Sequence, residues 1–350
     1  MIIDIAQNGP WDKLKEVLWL STHSMEKYEA SPAKAAAFQL AQLRVTAAKP
    51  AACVMAHARN EQMAGVAALE PSDWESKIYR FLMGKISILL AVGTYTEQLH
   101  SYHALLAELE TRARAGGLRH LACRVDTRDT AQVHSLESAG FLLMDTTLEY
   151  LWKPGLLTPE PPPKWIIRPH QAEDLAPLTK IARTAFTDRM KTRYAEDSHL
   201  PLEQTRELYA EWLLESCRGT FAHVVLVAEA AGKPIGFQTY KIDEEFFKAT
   251  GVALATFGLG TVLSEQRGQR IFPSLLRAVV RWGEGQGVTL SRGRVVVHNL
   301  PMQRACQRSG AYVGATFHTF HKWLGSGRPA LPCRGVPSGK VSNGQCHSDV

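Results

Sequence analysis

The sequence predicts an α/β (α+β) protein in which one unit of strands and helices is built twice, and three observations carry that prediction. The 350 residues are 45% hydrophobic and 21% charged, the balance of a globular chain long enough for two ordinary domains. Residues 153–164, Lys-Pro-Gly-Leu-Leu-Thr-Pro-Glu-Pro-Pro-Pro-Lys, hold too much proline for a helix or a central strand and read as a semi-rigid linker. Landmarks on either side of it recur at a constant spacing of 170 residues: Leu105-Leu106 and Leu275-Leu276, Asp129 and Asn299, Gly140 and Gly310.

Each half opens on a short apolar strand, Ile2-Ile3 or Ile166-Ile167. An amphipathic helix follows, carrying Leu14, Val17 and Leu18 in the first half and Leu175, Leu178 and Ile181 in the second. Hairpins come next, around 58–66 and 230–238, where an apolar run meets a polar turn and re-enters a strand through Gly65 or Gly236. The fourth strand is Ile86–Leu90 in the first half. In the second it is the run Ala-Leu-Ala-Thr-Phe-Gly-Leu-Gly-Thr-Val-Leu, residues 253–263. A charged turn, 264–270, then leads into a helix: Pro273 suits a first helical position, and Phe272, Leu275, Leu276 and Val279 share one face. Each half closes with a strand, a short helix after Asp129 or Asn299, and a last strand after Gly140 or Gly310. Alternation in the final strand puts Phe317, Thr319, His321 and Trp323 on one side. The expected division is therefore 1–152, the linker 153–164, 165–324, and a disordered tail over 325–350 rich in glycine, serine and proline.

The net charge of +6 suits an acidic small molecule, but the basic residues are dispersed, which argues against a nucleic-acid stripe. No apolar run reaches the eighteen or so residues of a membrane helix, and the start lacks the pattern of a secretory signal, so no membrane partner and a cytoplasmic location are expected. The six cysteines are scattered without a C-x-x-C pair, which indicates neither a zinc site nor a disulfide framework and makes reduced thiols the default. Nothing in the sequence fixes the oligomeric state.

The order of elements, with a polar turn feeding a helix after the fourth strand, resembles the GNAT acetyltransferase superfamily, here as a tandem pair over nearly all of residues 1–324. That resemblance implies two domains, each a mixed, mostly antiparallel central sheet flanked by helices. It also implies an N-acyltransferase using acetyl-CoA or another acyl-CoA as cosubstrate, with no metal. In the family, [Arg/Gln]-x-x-Gly-x-[Gly/Ala] after the fourth strand holds the pyrophosphate on backbone N–H groups. In that register stand Arg267, Gly268, Gln269, Arg270, Ile271 and Phe272, so the arginine is kept while Arg270 and Phe272 fill the small-residue positions. A helix start attracts anions through unpaired N–H groups and the helix dipole, and Arg267 and Arg270 can add charge-assisted contacts. The cofactor contacts implied are these six residues with Val262, Leu263 and Asn299. Shifted by 170, the first half has Glu97 to Tyr102 here, without the arginine and glycine, so the first copy is read as degenerate and the second as the acyl-CoA site.

The family's oxyanion donor is a backbone N–H of the fourth strand, here within Phe257–Leu263. Its tyrosine acid falls on Cys306, which is either a thiol that protonates the departing thiolate or a packing residue four after Met302. His321 is a second catalytic candidate and His298 a third, since histidine titrates near neutrality. The fourth strand has no glutamate to act as base, so water held by Thr256 or Thr261 is the expected proton route. Trp74-Glu75-Ser76-Lys77-Ile78-Tyr79 is similar to a segment of acetyltransferases that modify amino-sugar nucleotides, or is a loop closing the first core. The leading acceptor is thus the amine of an amino-sugar or amino-sugar nucleotide. The alternatives are a secondary-metabolite or antibiotic amine, and a non-catalytic GNAT-like binding protein.

Overall fold

The computed structural model of the chain describes residues 1–5, 9–20, 25, 27–159, 164–189 and 192–325. Part of the linker and nearly all of the expected tail lie outside the described residues. The first half supplies β1 (Ile2–Asp4), β2 (Cys53–Arg59), β3 (Gln62–Pro71), β4 (Met83–Ala91), β5 (His120–Asp126) and β6 (Leu142–Trp152). The second supplies β7 (Ile166–Pro169), β8 (Val224–Ala230), β9 (Lys233–Ile242), β10 (Leu254–Val262), β11 (Leu290–Val296) and β12 (Tyr312–Trp323).

The repeat has a local cause at each landmark. Asp129 and Asn299 are N-caps whose side chains accept the backbone N–H of Gln132 (2.9 Å) and Met302 (3.3 Å), starting the helices Thr130–Ser138 and Leu300–Arg308. Gly140 and Gly310 take left-handed φ of +79° and +90° just past those helices, where a side chain would be strained.

The halves do not close separately. All twelve strands form one sheet in the order β1-β2-β3-β4-β5-β12-β6-β11-β10-β9-β8-β7. Each half gives its last strand to the other: β12 pairs antiparallel with β5, β6 pairs antiparallel with β11, and β12 and β6 pair with each other at the centre. Packing follows the exchange. Phe320 and Leu324 of the second half are buried with Leu105, Leu109 and Leu121 of the first. Tyr150 and Trp152 of the first are buried with Phe257, Leu275 and Val279 of the second, and the Trp152 indole donates to Ser309 Oγ at 2.8 Å. Burying large aromatic side chains across the seam is worth several kcal/mol, so neither half retains a complete core without the other's strand.

The segment Trp74–Tyr79 belongs to a helix, Asp73–Tyr79, rather than a loop, and it joins the halves instead of closing the first core. Trp74 packs edge-on against Trp212 and Phe221, and the Tyr79 hydroxyl meets Thr205 Oγ1 at 3.0 Å. Among the described residues no helix is long and apolar enough to cross a membrane.

Candidate active site

β10 and β11 run parallel but pair only over Leu254–Thr256 and Leu290–Arg292; beyond that they diverge. A bulge in β10 between Phe257 and Gly260 bends the strand away from β11. Gly260 is required in the bulge, because a β-carbon there would lie 1.9 Å from Gln238 Oε1, whose amide is held by the carbonyls of Thr239 and Leu259. Beyond the strand, Ser264–Gln266 form one 3-10 turn, Gly268 takes φ +82°, and Arg270 is the N-cap of the helix Ile271–Gly285. Arg270 sits at φ 64° and makes no side-chain cap hydrogen bond. The backbone thus adopts the left-handed angle that glycine takes freely, at a cost of about 1 kcal/mol for an arginine. The first N–H groups of this helix have no acceptor within it.

The first half is an internal control. Its helix, Tyr95–Ala115, starts almost directly after β4, with Thr94 and Glu97 forming a capping box. Residues 97–100 are therefore helical, so the first copy has no counterpart of the turn, contrary to the sequence reading that the same turn persists there with altered residues. Its splayed strand is also bonded by its own side chains, beside a cavity of about 720 Å³ lined by Leu89 to Gly93, Gln98 and Tyr102. The Tyr102 hydroxyl accepts the Ala91 N–H (3.1 Å) and donates to Asp129 (2.6 Å), Gln132 donates to the Leu89 carbonyl, and Gln98 donates to the Ala91 carbonyl (3.3 Å). In the second half the positions of Tyr102, Gln132 and Gln98 hold Phe272, Met302 and Gly268, none of which has a side-chain donor.

A cleft of about 1120 Å³ opens between the halves, bounded by β10 from Thr256 to Gly260, by Arg292–Val296 of β11, by Asn299 and Met302, and by Trp74, Glu75, Arg193 and Tyr194. Its floor is the exchanged strand β6, where Asp145, Thr147 and Glu149 alternate onto one face. All three are buried. Glu149 pairs with Arg294 (2.9 Å) and Lys27 (3.3 Å) and accepts from the Tyr28 hydroxyl. Burial alone would raise its carboxyl, but Arg294, Lys27 and Arg292 outweigh that and hold it below the usual range, so it stays ionised. One Asp145 oxygen accepts the Arg193 N–H (3.0 Å); the other is buried with no hydrogen-bond partner among the described residues. Arg124, Arg193 and Arg294 lie close together at this floor. Burial, then Arg294 and Arg193, disfavours the charge of Arg124, whose guanidinium donates to Thr319 Oγ1 at 3.2 Å.

Residues 164–312 match the family model of the acetyltransferase (GNAT) domain. Residues 164–312, somewhat less than half of the chain, are thus similar to a GNAT acetyltransferase domain. Among curated proteins it is 24% identical over 269 residues to the spore coat polysaccharide biosynthesis protein SpsD of Bacillus subtilis (strain 168), covering 76% of this chain and 86% of the relative. Among solved structures it resembles a GCN5-related N-acetyltransferase from Sphaerobacter thermophilus (16% identity, 93% and 97% of the two chains, TM-score 0.60). It also resembles a tandem GNAT protein from the clavulanic acid biosynthesis pathway (15% identity, 94% and 99%, TM-score 0.56). The fold is the tandem GNAT fold, with a mixed, mostly antiparallel sheet.

Within this GNAT frame, eight of the nine residues read as acyl-CoA contacts follow one another from the end of β10 to the start of the helix, and of the nine Asn299 alone lines the cleft. Val262 and Leu263 end β10, Arg267 to Arg270 form the turn, and Ile271 and Phe272 start the helix. The two catalytic candidates do not join them. Cys306 is in the apolar core with Trp152 and Leu276, and burial pushes its thiol up to about 12, too weak an acid to protonate a thiolate. His321 is buried on the central seam, where burial pulls it down to about 3, and neither it nor Cys306 lines the cleft. His298 is exposed. Thr256 Oγ1 lines the cleft but already accepts from Arg292 (2.9 Å), and Thr261 is buried. The floor residues Asp145, Thr147, Glu149, Arg124 and Arg193 escaped the sequence reading. Their one signal was a polar alternation, Asp145, Thr147, Glu149, in the last strand of the first half.

Proposed function

We propose that the protein is an acyl-CoA-dependent N-acyltransferase whose second half holds the acyl donor and whose floor, at the exchanged strand β6, receives an amine on an acidic small molecule, an amino-sugar nucleotide first. The observation that carries this reading is the contrast between the two splayed strands: in the first half the side chains of Tyr102 and Gln132 bond the strand edge beside a cavity of about 720 Å³, and in the second those donors are replaced by Phe272 and Met302 beside the larger cleft of about 1120 Å³. When bound, the acyl donor supplies the thioester. The turn Arg267 to Arg270 and the start of helix Ile271–Gly285 receive its phosphates, and the edge of β10 at Gly260 and Val262 receives its pantetheine arm. The bulged backbone from Phe257 to Gly260 offers N–H groups that polarise the acyl carbonyl. Asp145, with one oxygen unengaged, takes the proton that the acceptor ammonium must lose before its nitrogen can attack.

The acidic acceptor follows from charge. Arg124, Arg193 and Arg294 repel one another, and an anionic group between them would relieve that repulsion with charge-assisted hydrogen bonds. A nucleoside diphosphate supplies such a group, whereas a polycationic antibiotic would add to the repulsion. The polysaccharide context of SpsD agrees with a sugar. Incubating the protein with acetyl-CoA and a panel of amines, read by mass spectrometry, tests this directly. Acetylated amino-sugar nucleotide is expected, and Arg124→Gln is expected to raise its KM about tenfold with little change in kcat, one lost charge-assisted contact. Turnover of neutral or cationic amines alone would remove the acidic-acceptor reading. Failure of any acyl-CoA to bind would leave the non-catalytic reading in its place.

A further inference from the structure

The cysteines gave no zinc pattern, yet the strand exchange assembles a different ligand set. His120 starts β5 of the first half, His321 lies on the neighbouring strand β12, and Asp197 follows the short helix Arg193–Glu196. One ligand atom from each lies within 4.8 Å of the others. Asp197 Oδ2 is 2.9 Å from His321 Nδ1 and 3.7 Å from His120 Nε2. The two rings meet edge to face with centroids 4.4 Å apart. Exposure is 1% for each histidine and 3% for Asp197, so the cluster lies away from bulk solvent.

Hydrogen bonding leaves this cluster incomplete. Both nitrogens of His120, and Nε2 of His321, are buried without a hydrogen-bond partner among the described residues, an unusual state for three polar atoms in one place. The Asp197 carboxylate, by contrast, is held in place: the His199 N–H donates to Oδ1 at 3.1 Å and the Trp323 indole N–H lies 3.1 Å from Oδ2. A fixed carboxylate beside two under-bonded imidazoles is the donor set of a divalent transition metal.

We propose that His120, Asp197 and His321 form a buried zinc-type site that clips the two halves together. Zinc bonds of about 2.0–2.1 Å at tetrahedral angles separate ligand atoms by about 3.4 Å; the two separations from Asp197, 2.9 Å and 3.7 Å, bracket that value, and the third, between the histidines, lies within 4.8 Å. A small rotation of the His120 ring closes the set, with a water in the fourth position. The ion ties β5, β12 and the segment carrying Arg193 and Tyr194, two walls of the cleft, into one unit, so it acts as structure rather than in the acyl transfer.

The test uses the untagged full-length chain, stripped with chelator and titrated with zinc chloride. One tightly bound zinc per chain and a raised unfolding temperature are expected. X-ray absorption of the wild-type complex is expected to show two imidazoles and one carboxylate oxygen around the ion, a readout that needs no variant. His120→Gln and Asp197→Asn should abolish binding. The double variant Cys333→Ser with Cys346→Ser should keep it, since neither thiol belongs to the proposed ligand set. No stoichiometric binding, an absorption spectrum with sulfur ligands, or binding retained in His120→Gln would each overturn the proposal.

Discussion

Grafting the first half's plug onto the second should close the acyl-donor slot without unfolding the protein. The variant is Phe272→Tyr with Met302→Gln, which restores at the second splay the hydroxyl and amide that Tyr102 and Gln132 present to β4. Asn299 stands where Asp129 accepts from Tyr102, so the new hydroxyl has an acceptor within the same arrangement. In the first half the plug contributes two bonds to the strand edge, to the Ala91 N–H and the Leu89 carbonyl; their counterparts are the Val262 N–H and the Gly260 carbonyl. A neutral hydrogen bond nets about 0.5–1.5 kcal/mol, so an incoming acyl donor must displace about 1–3 kcal/mol. At 1.4 kcal/mol per tenfold, its Kd rises about 5- to 150-fold. Calorimetric titration with acetyl-CoA reads the change, and the melting temperature should hold or rise because bonds are added. Slowed hydrogen exchange at the Val262 amide would report that the plug has formed. Affinity equal to the parent's with that amide protected would refute the idea that the β10 edge receives the donor.

Three further outcomes follow from the same geometry. Arg270→Gly should relieve the left-handed strain at φ 64°, adding about 1 kcal/mol, or about 1–2 °C in Tm for a chain of this size, while weakening acyl-CoA binding through the lost charge. A gain in both would mean that the arginine records only the loss of a glycine. Glu149→Gln leaves Lys27 and Arg294 buried without their counter-charge and should cost about 3–5 kcal/mol in chemical denaturation. Because the folded-state pKa of Glu149 lies below its unfolded value, its contribution is complete above the ordinary carboxylate range and is lost as pH falls through it. The parent should therefore lose stability below about pH 4.5 more steeply than the variant. Trp152→Ala, which empties a fully buried position in the other half's core, should cost about 3–5 kcal/mol, and a much smaller loss would contradict the strand exchange.

Much of this was legible in sequence because its causes are local. Asp129 and Asn299 mark helix starts by capping, Gly140 and Gly310 mark the turns that follow, and Phe272, Leu275, Leu276 and Val279 mark a helix face. The exchange of β6 and β12 was not legible, since an alternating last strand has the same pattern whichever half it completes. Every site feature that depends on the exchange was missed with it. Glu149 meets Arg294 only because β6 lies beside β11, and His120 meets His321 only because β12 lies beside β5. Cys306 and His321 were singled out for their chemistry, but burial decides what such groups can do, and a sequence does not state their depth.

The account stands on one chain holding one acyl donor in its second half. Calorimetric titration of the full-length protein with acetyl-CoA measures that stoichiometry. It should return a single site per chain that is weakened by Arg267→Ala and Arg270→Ala and untouched by Glu97→Ala. Two equivalent sites, or a single site lost in Glu97→Ala and retained in the arginine variants, would contradict it.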